Sequence, residues 1–104
     1  MPETQVSYVL DDGEEVHREN PNTYQIPPIA KREDLQLGQL VKLVFRISHG
    51  DEVDVERMWV AVKEKRADYY AGVLDNDAYC TDQIASGMEV HFQARHVIQI
   101  YSRS

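Results

Sequence analysis

At 104 residues and a formal net charge of −7, the chain has the size of one domain with a single hydrophobic core. That charge argues against nucleic acid, whose backbone is bound by Lys and Arg in exchange for counterions. The one cysteine, Cys80, excludes an intrachain disulfide and fits a reducing compartment, and no apolar run approaches the ~20 residues of a membrane-crossing helix. Met1 to Gln5 carries neither a basic nor an apolar signal region, so a cytoplasmic protein is expected. The acid excess sits early: residues 1–34 hold eight Asp or Glu against three Lys or Arg, and residues 35–104 hold ten against eight. The expected organisation is an acidic, partly ordered extension over residues 1–27, with residues 1–4 mobile, and a small barrel over residues 28–104.

Residues 5–10 alternate weakly as a strand, Asp11-Asp12-Gly13 offers turn chemistry, and residues 14–17 are expected to return as a second strand. Pro28 suits a first helical position and Gly38 a stop, which predicts about two helical turns over 28–36, with Ile29 and Leu35 inward. From Leu40 to Ile47 the alternation is sharp. Val41, Leu43, Phe45 and Ile47 share the inner face, and Leu40, Lys42, Val44 and Arg46 the outer one. Residues 48–55 read as a polar loop. A second clear strand, 57–65, turns Met58, Val60 and Val62 inward and Trp59 outward. After a short connection at 65–68, a third strand over 69–74 contains Gly72, which suggests a bulge or bend. A longer loop follows over 75–87, then a strand over 88–92, a tight turn at 93–96 and a closing strand over 97–101. Together these predict a mainly β fold, a small SH3-like five-stranded barrel with an N-terminal extension and one short helix.

Within residues 56–101, Glu56, Trp59-Val60, Gly72-Val73-Leu74-Asp75-Asn76, Gly87-Met88-Glu89-Val90-His91-Phe92 and Ile98 form a pattern. It resembles that of a family of small bacterial domains of unknown function. The chain departs from that pattern at Ala78, where the family often has Pro, and at Gln99-Ile100, where it tends to have Asp-Trp. The resemblance supports the barrel and implies no activity.

No catalytic or metal chemistry stands out. His17, His49, His91 and His96 lack H-x-H or H-x-x-x-H spacing, and one cysteine makes no Cys-rich zinc site. Asp75-Asn76-Asp77 opens like a calcium loop, but Tyr79, Cys80 and Ser86 stand where it needs its later ligands and glycine. Cys80 has no base at a recognisable spacing, although His91 and His96 are conceivable partners. No cofactor is expected. The strongest functional pointer is Trp59 on the outer face. Beside it the alternation places Lys42 and Arg46, with Asp75, Asn76 and Tyr79 at its rim, as a protein-binding patch. The rival view has residues 20–36 covering the indole. The expected function is a non-enzymatic protein-binding or regulatory module, monomeric, whose acidity and small size also suit an immunity or inhibitor protein. The alternatives are a small-ligand binder or enzyme using the 75–87 loop, and a nucleic-acid-binding barrel, which the charge disfavours.

Overall fold

The computed structural model describes residues 5–22 and 25–101, so the expectation for residues 1–4 lies outside the described residues. Six strands, β1 (Val6–Leu10), β2 (Leu40–His49), β3 (Glu52–Lys65), β4 (Tyr70–Leu74), β5 (Glu89–Phe92) and β6 (Gln99–Ile100), accompany two short helices, α1 (Gly13–Glu19) and α2 (Ile29–Arg32). The strands form one antiparallel sheet in the order β1-β2-β3-β4-β5, which curls into a half-barrel. On its edge away from β3, β2 carries two short partners: β6 against Val41 and Lys42, and β1 against Phe45 to His49. A 3₁₀ turn, Ala94–His96, leads the chain from β5 towards β6.

The sharp alternation of β2 and β3 becomes the core. Val41, Leu43, Phe45, Ile47, Met58, Val60 and Val62 are all buried, against Tyr70, Leu74, Val90 and Phe92 from the other strands. The register of β3 on β4 shifts between Val62 and Glu64, so the irregularity expected at Gly72 lies on the facing strand. Gly72 is needed for a different reason. A Cβ there would meet the Ala61 carbonyl oxygen at 2.5 Å, so only a residue without one lets β3 and β4 approach this closely.

Three expectations need correction. Residues 14–17 do not return as a strand. Asp12 Oδ1 accepts the N–H groups of Glu14 and Glu15, which makes Asp12 an N-cap, and α1 follows. The helix predicted over 28–36 is one turn, and Arg32 rather than Ile29 faces inward; Ile29 is exposed, while Leu35 does join the core. Residues 48–55 are not a loop. The two strands continue to a two-residue turn, Gly50-Asp51, with glycine at φ 61° in its first position.

The extension is built into this frame. Tyr8 of β1 packs against Phe45 with ring centroids 5.1 Å apart. Arg32, 5% exposed, donates to Glu14 Oε2 at 2.7 Å, to the Pro27 carbonyl at 2.8 Å and to the Ala94 carbonyl at 3.0 Å. One guanidinium thus joins α1, the segment before α2 and the 3₁₀ turn. Gly13 rests on Ile98, where a Cβ would come within 2.9 Å of Ile98 Cγ2. Among the described residues, no helix is long and apolar enough to cross a membrane.

Candidate functional site

The outer face of the β1-β2-β3 ribbon is read row by row from the register. Ser7, Ser48 and Val53 form one row, and Val9, Arg46 and Val55 the next. Val44 pairs with Arg57, and Gln99, Lys42 and Trp59 form the row nearest β6. Period-2 geometry places all of these side chains on the face opposite the core. Val9, Val53 and Val55 are 62%, 57% and 49% exposed, so the two rows nearest the turn present aliphatic surface to solvent.

Lys42 is Trp59's cross-strand partner, and its Nζ lies 4.8 Å from the indole centroid. Tyr101 meets the same indole edge-on at 5.9 Å, so the aromatic neighbour of Trp59 comes from beyond β6. The indole itself is half-buried. Arg46 shares the face but lies nearer the turn, with Nε and Nη2 donating to the two Asp11 carboxylate oxygens at 3.0 and 2.9 Å. That bidentate pair holds its charge and raises its pKa. The rim residues hold the backbone of Trp59. Asn76 Oδ1 accepts the Trp59 N–H at 2.6 Å, and the Asp75 N–H donates to the Trp59 carbonyl at 2.9 Å. Tyr79 belongs elsewhere; its N–H donates to Glu56 Oε1 and its ring is fully exposed.

The opposite face of the ribbon holds a group that sequence spacing missed. Towards the turn, the inward positions after Met58 pass to Glu56, Asp54 and Glu52, and on β2 from Ile47 to His49. His49 Nε2 lies 2.6 Å from Asp54 Oδ2, and Cys80 from the loop after β4 comes up beside them. Glu56 fixes that loop: its two carboxylate oxygens accept the N–H groups of Tyr79 and Cys80 at 2.7 and 2.9 Å. Burial works against ionising Glu56, but the hydrogen bonds from Tyr79 and Cys80 outweigh it and hold the carboxyl below its usual range. Burial, the hydrogen bond to Glu56 and the nearby carboxylate charges push the Cys80 thiol up to about 11. It is therefore a protonated thiol at neutral pH and not an activated nucleophile. The signal that would have found this group is the polar run at inward positions of β3, where the pattern of Met58, Val60 and Val62 calls for apolar residues.

Two of the other histidines are accounted for locally. His91 is exposed beside Glu89, and His96 Nδ1 accepts the Gln93 N–H at 2.9 Å within the 3₁₀ turn. A cleft of about 810 Å³ runs between residues 25–39 and Ile98–Tyr101 and is lined by Pro27, Pro28 and Ile100 among others. No family profile, curated protein or solved structure matches the chain.

Proposed function

We propose that this chain is a non-enzymatic protein-binding module that uses the outer face of its β1-β2-β3 ribbon. The observation that carries the reading is the set of three exposed valines, Val9, Val53 and Val55, around Arg46 in neighbouring rows. Isolated exposed aliphatics are ordinary, but a contiguous group framed by polar residues is what an interface core requires. Trp59 with Lys42 extends the face ~20 Å along β3, at 3.3–3.4 Å per residue, and supplies the aromatic anchor that interfaces favour. The closure of β6 on β2 after a 3₁₀ turn supports describing the scaffold as SH3-like.

The test is capture of a partner from native lysate on the immobilised full chain, with the urea midpoint measured in parallel. Trp59→Ala and the double variant Val53→Ser, Val55→Ser should each weaken capture, Trp59→Ala by about 2 kcal/mol as a hot-spot truncation does. The midpoint of the double variant should hold. A large loss of stability in Trp59→Ala with capture unchanged would make the indole a structural residue, and undiminished capture by both variants would move the interface to another face.

A further inference from the structure

We propose that His49, Asp54 and Cys80 form a binding site for one thiophilic divalent metal ion of the zinc type. One nitrogen, one oxygen and one sulfur donor lie within 4.8 Å of one another. With bonds of about 2.0–2.3 Å to zinc, tetrahedral ligand atoms stand ~3.3–3.7 Å apart, so the three donors are already close to a coordination shell. The 2.6 Å contact between His49 Nε2 and Asp54 Oδ2 is shorter than ligand atoms stand around zinc, because it is a hydrogen bond through a proton. Replacing that proton with a metal requires the pair to open by about 0.7–1.1 Å, to the separation of tetrahedral ligand atoms.

The donors are also held from behind. His49 and Asp54 lie on paired strands joined by a two-residue turn, with Ile47 opposite Asp54 and His49 opposite Glu52. Cys80 is fixed through its own N–H and that of Tyr79, both on Glu56. Placement of this kind, from rigid strands and a supporting carboxylate, is what metal sites use to orient their ligands. The three donors line a depression of about 390 Å³ together with Glu52 and Glu56, which leaves room for a water or a fourth carboxylate ligand and adds negative charge. His49 is half-buried and Asp54 exposed, so an ion has a path in from solvent.

The donor types decide the metal. A set with one imidazole, one carboxylate and one thiol suits zinc and its borderline neighbours, whereas magnesium and calcium require oxygen ligands in larger number. On binding, the ion takes the place of the Cys80 thiol proton, which passes to solvent, and His49 binds through Nε2 as the neutral imidazole with its one proton on Nδ1. No oxidation or reduction is involved.

Cobalt(II) titration of the full-length, metal-free protein tests the site, because a thiolate ligand and a tetrahedral field each leave an absorption signature. The expected result is one equivalent of Co²⁺ giving a sulfur-to-metal charge-transfer band and strong visible bands, displaced by Zn²⁺ but not by excess Mg²⁺. Cys80→Ser should abolish the charge-transfer band. His49→Asn and Asp54→Asn should each weaken binding at least tenfold while their metal-free urea midpoints stay close to that of the unmodified chain. Failure of the folded, unmodified protein to bind Co²⁺ stoichiometrically would overturn the proposal. So would a charge-transfer band that survives in both His49→Asn and Asp54→Asn, since the thiol would then be taking metal without the cluster. In either case the three residues would be a hydrogen-bonded pair beside an idle thiol.

Discussion

The two halves of the β2–β3 hairpin share one continuous ladder and carry opposite side-chain patterns. In the stem, inward Val41, Leu43, Phe45, Met58 and Val60 are buried and the outward row is mixed. Near the turn, inward Glu52, Asp54, Glu56 and His49 are polar, while outward Val53 and Val55 are apolar and exposed. The backbone ladder is unchanged, so at the turn strand pairing and side-chain hydrogen bonds carry more of the work that core packing does in the stem. Inverting the pattern gives up apolar burial there. In return, the inner face gains a set of donors and the outer face an aliphatic surface.

Substitutions at matched positions should separate the two halves. The largest effect is expected at Phe45, fully buried and in contact with Tyr8: Phe45→Ala should lower stability by about 3–5 kcal/mol in urea denaturation, as a cavity in a close-packed core does. Next comes Arg32→Ala, which removes three hydrogen bonds and leaves Glu14 without its partner, at a cost of about 3 kcal/mol. Near the turn, Val53→Ser and Val55→Ser should each change the urea midpoint by less than about 0.5 kcal/mol equivalent. A loss there comparable to that of Phe45→Ala would mean the tip is stabilised by apolar burial after all.

Another small effect is a pH dependence in the 3₁₀ turn. Burial lowers the pKa of His96, Asp12 opposes that shift and Arg95 adds to it. The folded state therefore prefers the neutral ring, whose Nδ1 accepts the Gln93 N–H. Its contribution is complete above the unfolded value near 6.5 and is lost as pH falls through the lower folded value. Urea midpoints between pH 7.5 and pH 5 should show a loss of about 1 kcal/mol or less from this group, about one hydrogen bond. His96→Asn, which keeps an acceptor that does not titrate, should flatten that part of the profile.

Period-2 alternation made the stem strands legible, together with the inward set of Val41 to Ile47 and Met58 to Val62. It also placed Lys42 beside Trp59 once the two strands were taken as neighbours. The tip was misread because Val53 and Val55 fall at outward positions, so the run from Ser48 to Val55 looked like polar punctuation. Helix α1 was missed because Asp-Asp-Gly serves a hairpin turn as well as an N-cap, and the thin apolar content of the segment could not decide between them. Asn76 was placed at the rim of the Trp59 patch, but no local pattern foretold that its side chain would take the Trp59 backbone N–H on a different strand. The gathering of His49 and Asp54 with Cys80 depends on how the 75–88 loop folds back, which no local spacing encodes.

Arg32 has a consequence for how the molecule opens. Its guanidinium bonds chain from near the N-terminus and from the 3₁₀ turn just ahead of β6, while Gly13 lies against Ile98. Separating α1 from the body therefore breaks contacts that also seat the last strand. Helix α1 and the segment from the 3₁₀ turn to β6 thus act as one cooperative unit, joined by contacts of large sequence separation that carry the entropy of closing a long loop. In native-state hydrogen exchange, the N–H groups of Ile98 and Tyr101, which donate to Lys42 and Leu40, should therefore exchange together with those of α1 and before those of the β2–β3 stem.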